Sequence, residues 1–223
     1  MLSRVIITTS EGTKTIQIPE WNECYHSQYG IQQEASHVFI SNGLDLLDKP
    51  QISILEMGLG TGFNALLTLY RARERGVKVN YYALEKYPVS SKELEELEYG
   101  KILEQEDAEK KNFLLHNAEW EREVEIDEFF KITKFKADFF ELKNFPLPPV
   151  DLVYFDAFGA RVQPEFWEEE LFTQVYNTMA PGGLLTTYSS KGSARRAMQS
   201  AGFTVEKKEG PKGKREMVNA WKK

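Results

Sequence analysis

A single cysteine, Cys24, excludes an internal disulfide, a CxxC redox pair and a thiolate zinc site. The three histidines, His26, His37 and His116, carry no assigned chemical role, and no metal is expected. No run approaches 18 consecutive apolar residues, and the opening stretch MLSRVIITTSEGTKTIQI alternates apolar with polar. Neither a membrane span nor a signal peptide is therefore expected, and with so little cysteine a reducing, cytoplasmic compartment fits. Internal repeats and low-complexity segments are missing too. The only proline-rich stretch, FPLPPV at 145–150, leads straight into an apolar strand. The expectation is one domain over residues 1–223, with 41% hydrophobic content ample for one core. Residues 1–50 form an N-terminal extension covering the site, and residues 51–223 form the core.

Net charge is −6, but it is unevenly spread. Residues 191–223 hold ten Lys or Arg against three Glu, so this end carries +7 and leaves −13 on the rest. Such an end is either a solvated face or an edge built to meet a polyanion.

The pattern predicts an N-terminal hairpin from 4–9 and 13–18, an irregular stretch, and a helix over about 31–47. From there strands at 52–57, 78–84, 132–136, 151–155 and 184–188 alternate with helices at 62–75, 88–116, 165–179 and 192–201. Strands separated by helices imply a parallel sheet covered on both faces. The last two strands, 203–208 and 216–221, are joined by EGPKGKR alone, too short for a crossover, and must pair antiparallel. The fold class expected is α/β, a Rossmann-like class I methyltransferase with a mostly parallel sheet, a C-terminal antiparallel hairpin and the N-terminal extension.

The segment ILEMGLGTGFNALLTL, 54–69, places glycines 58, 60 and 62 where a strand gives way to a helix. Such a turn holds a nucleotide cofactor, holds a phosphate, or simply makes a tight corner. Residue 63, where the nicotinamide fingerprint has its third glycine, is Phe, and no Gly-Lys-Ser/Thr follows, so phosphate cradling is the weaker reading. Glu56, two residues before the first glycine, is expected to present its carboxylate to a cationic or amino-bearing ligand such as S-adenosylmethionine. Glu85 ends the next strand, where Rossmann-like folds bind the ribose hydroxyls. Asp138 ends a third, within reach of an adenine amine. Asp156 ends the apolar run VYFD at the carboxyl edge and is the candidate for the chemistry. Phe155 and Trp167 are expected in the core, and Phe158 at the ligand.

ILEMGLGTGFN, YALEKYP, KADFFEL, YFDAFGARVQPEFWEEELF, APGGLLTTYSSKGSARRAMQSAGF and GKREM stand in the order of a known family. With YHSQYGIQQEASHVFISNGL upstream, the chain from about residue 20 resembles the methyltransferase domain of the MnmC family, bifunctional proteins that make 5-methylaminomethyl-2-thiouridine in tRNA. The resemblance implies methyl transfer from S-adenosyl-L-methionine to the primary amine of 5-aminomethyl-2-thiouridine at the wobble position. It also implies an upstream FAD-dependent oxidase, here a separate partner, since that domain is not in this sequence. The cofactor set expected is Glu56, Gly58, Gly60, Thr61, Gly62, Glu85, Asp138, Phe139, Asp156, Ala157 and Phe158. Asp156 orients the acceptor amine or takes its proton. Tyr25 and His26 line the acceptor pocket, and Arg161 replaces a lysine in a loop that departs from the family's GFAPAKNPDMW-like motif. Arg195 and Arg196 on the last helix, and Lys214 and Arg215 in the final hairpin, meet phosphates of an anticodon loop, Lys214 and Arg215 being the better supported pair. The competing expectations are a methyl- or aminopropyltransferase acting on a small amine, and a non-catalytic tRNA-binding module.

Overall fold

Alternation at period two decides which face of a strand each side chain meets, and here both faces are covered. A computed structural model describes residues 2–27 and 30–223. Strands β1 (Val5–Thr8) and β2 (Lys14–Ile18) form the expected hairpin, and a short β3 (Glu23–Cys24) extends it. Helix α1 (Ile31–Ala35) follows. The main chain then runs through β4 (Gln51–Met57), α2 (Phe63–Arg75), β5 (Lys78–Leu84), α3 (Ser91–Leu97) and α4 (Ala108–Asn117). Next come β6 (Glu123–Asp127), β7 (Phe130–Phe135), β8 (Val150–Phe155), α5 (Glu169–Thr178), β9 (Met179–Thr187), α6 (Gly192–Ser200), β10 (Thr204–Glu209) and β11 (Glu216–Trp221).

One eight-stranded sheet has the order β10-β11-β9-β8-β4-β5-β7-β6. Its five central strands are parallel, with β4 and β8 side by side. The chain leaves β4 toward β5 and β7, then returns to β8 on the other side. A crevice opens at such a reversal, outside the carboxyl ends of the strands. Ile52 and Ile54 of β4 pack with Phe63 and Leu66 of α2 on one face. Leu55 and Met57 pack on the other with Phe155, Trp167, Leu171 and Phe172. Phe155 and Trp167 are thus core residues, as expected.

Several boundaries differ from the sequence expectation. The helix over 31–47 stops at Ala35, widens into a π-type turn at Ser36–Ser41 and ends in a short 3-10 turn, Leu44–Leu46. At Gly43, just before that turn, a Cβ would lie 2.3 Å from the Phe39 carbonyl oxygen, so only glycine fits there. The helical stretch 88–116 is broken between α3 and α4, where Glu98 takes a left-handed φ of 55°. Strand β6 was not anticipated, although Glu123-Val124-Glu125-Ile126-Asp127 alternates polar with apolar as a half-buried edge strand does. It pairs antiparallel with β7 at the sheet edge. The final hairpin forms as expected, with β11 as the reversed strand inserted between β9 and β10.

Candidate functional site

The turn after β4 can bend only because of its glycines. Gly58, Gly60 and Gly62 have φ of 99°, 51° and 70°. A Cβ at Gly58 would stand 2.9 Å from the Asp156 carbonyl oxygen, and one at Gly60 3.2 Å from the Tyr25 ring. The amides of Gly58 and Leu59 donate to the Leu84 carbonyl, tying this turn to the end of β5. Glu85, next in sequence, accepts from the Gly60 amide at 2.9 Å and from the Tyr87 amide at 2.7 Å. One carboxylate thus braces two loops.

Above these loops lies a cavity of about 1510 Å³, larger than the roughly 300–1,000 Å³ that usually holds one small ligand. Gly58, Gly60, Thr61, Glu85, Asp138, Phe139, Asp156, Ala157, Phe158 and Tyr25 all line it. The N-terminal segment forms one wall. Trp21 and Tyr25 meet Phe158 edge to face, at 5.4 and 5.2 Å between ring centres. Arg4 stands over the Tyr25 ring and donates to the carbonyls of Tyr87 and Pro88. Thr61 is buried and shares a 2.6 Å hydrogen bond with His26, whose imidazole burial drives down to about 4, so it is neutral.

The expectation for Glu56 needs correction. It is fully buried and does not line the cavity. Period-two alternation puts it on the same face as Ile52 and Ile54, beneath α2, where Asn64 Nδ2 donates to it at 2.9 Å. The same Asn64 nitrogen donates at 2.9 Å to Asp156, which does line the cavity. Asn64 therefore bridges a hidden carboxyl and a presented one. Burial holds Glu56 well above the usual carboxylate range, the Asn64 hydrogen bond opposes this, and the Asp156 charge adds to it. Burial likewise pushes Asp156 up to about 7; Asn64 and Lys214 pull it down and Glu34 pushes it up. A carboxyl poised near neutrality can accept and release a proton there.

Asp138 lines the cavity but also caps the turn Phe139–Asn144, accepting from the Phe140 amide at 3.0 Å, and pairs with Lys86 at 2.9 Å. Arg161 does not line the cavity. It pairs with Glu23 at 2.8 Å and donates to the Trp21 carbonyl, fastening β3 to the loop after β8. Arg195, Arg196 and Arg215 also stand outside the lining, whereas Lys214 is part of it. Among the lining residues that escaped the sequence reading, Asn64, Glu34 and Tyr188 bear on Asp156. Tyr188 directly follows β9, so the rule that singled out the other strand ends was a signal for it too.

Among the described residues, no cluster of His, Cys, Asp or Glu is arranged to hold a metal, and no helix is long and apolar enough to cross a membrane. Residues 107–223 match the model of a family described as S-adenosyl-L-methionine-dependent methyltransferase. The tRNA 5-methylaminomethyl-2-thiouridine biosynthesis bifunctional protein MnmC of Hydrogenovibrio crunogenus is 26% identical over 95% of this chain and 33% of its own length. The protein of that name from Leptospira borgpetersenii is 28% identical over 89% of this chain and 32% of its own. The chain thus spans about a third of the length of these curated relatives. The crystal structure of MNMC2 from Aquifex aeolicus shares the fold, with a TM-score of 0.77 at 24% identity, over 99% of this chain and 70% of that one.

Proposed function

The chain belongs to the S-adenosyl-L-methionine-dependent methyltransferase family, and on that premise we propose that it N-methylates 5-aminomethyl-2-thiouridine at the tRNA wobble position, giving 5-methylaminomethyl-2-thiouridine. The observation that carries this reading is Asp156. Its carboxyl is poised near neutral pH, between a cofactor-type glycine turn and an aromatic wall, in a cavity with room for two ligands.

The residues fit the cofactor. The glycine turn lets the Asp156 backbone and the Tyr25 ring close in on the cavity, and Glu85 keeps lone pairs for ribose hydroxyls while its neighbours hold it still. Glu85 would hold the ribose, Asp138 and Phe139 the adenine side, and Thr61, Ala157 and Phe158 the remaining walls; Gly62, expected in this set, stands outside the lining and faces the His116 ring. Glu56 acts from beneath, through Asn64. When bound, the sulfonium supplies an activated methyl group, which the acceptor nitrogen takes as sulfur keeps the electrons of the broken C–S bond. The protein's task is then alignment and proton removal. Tyr25 and Phe158 flank the acceptor and exclude water, which disfavours its ammonium form. Asp156 takes the proton that nitrogen must shed.

The anticodon loop meets the basic end. Lys207, Lys208 and Lys212 pair with Glu216, Glu206 and Glu11, so much of the +7 charge is matched. Arg195, Arg196 and Arg215 form no ion pair among the described residues. The hydrogen bond and the charge of Lys207 hold Glu216 below the usual carboxylate range, with smaller contributions from the charges of Arg215 and Arg195. Changing Arg195, Arg196 and Arg215 together to Ala should weaken tRNA binding and flatten its salt slope by about 0.7–0.9 per lost phosphate contact. Cofactor affinity should not move. An unchanged slope in a filter-binding titration means these arginines are only a solvated face.

Mass spectrometry of wobble nucleosides tests the whole reading. A strain deleted for this protein should accumulate 5-aminomethyl-2-thiouridine and lack the methylated form. Normal nucleosides from such a strain would favour a small-amine acceptor.

A further inference from the structure

One cation of the basic end is half-buried and turned toward the cavity. Lys214, in the turn between β10 and β11, ion-pairs with Glu34 of α1 and lies 3.9 Å from the centre of the Tyr188 ring. Glu34 is itself fixed by the Ser27 amide at 3.0 Å. The Tyr188 hydroxyl donates to the Ala157 carbonyl at 2.8 Å, the residue next to Asp156. A continuous chain of contacts therefore runs from Glu34 through Lys214 and Tyr188 into the turn that carries the reacting carboxyl, and every member lines the cavity. A lysine kept for a backbone phosphate has no need of a carboxylate partner and an aromatic face 180 residues and 26 residues away in sequence.

We propose that Lys214 is a positioning residue of the methyl-transfer site and not a phosphate contact: with Glu34 as its counter-ion it fixes Tyr188, and through Tyr188 the turn at 156–158, and its charge acts on the carboxylate that takes the acceptor's proton. This rests on the function proposed above. The charged and titratable groups around Asp156 are Glu56 and Tyr81 from the strands beneath, Tyr188 from β9's end, and Glu34 and Lys214 from the two flanking segments. Of the two flanking groups, Lys214 favours the ionised carboxyl and Glu34 opposes it. Their removal must therefore have opposite signs, which loosened packing does not produce.

The test uses the full chain with Lys214→Met, Lys214→Arg and Glu34→Gln. Carbon-13 NMR of carboxyl-labelled aspartate follows Asp156, assigned by its loss in Asp156→Asn, without tRNA present. The pH profile of kcat is measured in parallel on tRNA bearing the aminomethyl group. Lys214→Met should move the Asp156 titration and the acid limb of kcat to higher pH by about half a pH unit or more, lowering kcat near pH 7 about twofold or more. Glu34→Gln should move both to lower pH, and Lys214→Arg should restore the wild-type profile. The salt slope of tRNA binding should be the same in all. A titration that stays put, or that moves the same way in Lys214→Met and Glu34→Gln, overturns the proposal. So does a salt slope flattened by about 0.7–0.9 in Lys214→Met, which marks a phosphate contact. Because the titration needs no RNA, a wild-type protein that fails to methylate tRNA overturns the proposed function while the NMR result still decides the role of Lys214.

Discussion

Replacing Asp156 with Asn should lower kcat by about 10²-fold or more while cofactor affinity changes only a few fold. The carboxyl is held by Asn64 at 2.9 Å and its titration sits at about 7, so the wild-type rate should rise through neutral pH as the group ionises. In the variant that acid limb should vanish. Folding gives an independent check on the same residue. A carboxyl whose folded-state pKa is raised destabilises the protein as pH climbs from its unfolded value toward 7, because the unfolded chain loses the proton first. The advantage of Asp156→Asn in melting temperature over wild type should therefore grow from about pH 4 to about pH 7 and level off above it. A slow variant with an unmoved pH profile would mean that Asp156 shapes the turn and takes no proton.

Glu85→Ala should weaken S-adenosylmethionine binding at least tenfold in calorimetry. Each charge-assisted hydrogen bond to a ribose hydroxyl is worth roughly 1.5–3 kcal/mol. The same carboxylate also accepts from the Gly60 and Tyr87 amides, so its loss releases two loops of the cavity together. Glu85→Gln, which keeps one acceptor oxygen, should fall between wild type and Ala. Affinity unchanged in Glu85→Ala removes the residue from the cofactor site.

Local patterns made the sheet and its ligand edge readable. The glycine turn after an apolar strand, and acids at the ends of β5 and β8, are features of single short segments, and the cavity gathers them because parallel strands end at the same edge. The inward turn of Glu56 was legible as well: Ile52, Ile54 and Glu56 share one face by simple alternation, and only the attraction of a strand-end acid argued otherwise. The Lys214–Glu34 pair was not legible. It joins the N-terminal segment to the last hairpin, and nothing in either segment alone names its partner. The ion pairs that tie down Lys207, Lys208 and Lys212 are equally invisible in a count of basic residues, so +7 overstated the charge free to meet RNA.

Transfer of a labelled methyl group from S-adenosylmethionine to purified tRNA carrying 5-aminomethyl-2-thiouridine tests the central claim most directly. Label should appear in 5-methylaminomethyl-2-thiouridine after nucleoside digestion, at a rate cut about 10²-fold or more in Asp156→Asn. Label that stays out of this tRNA while a small amine is methylated in its place would contradict the account.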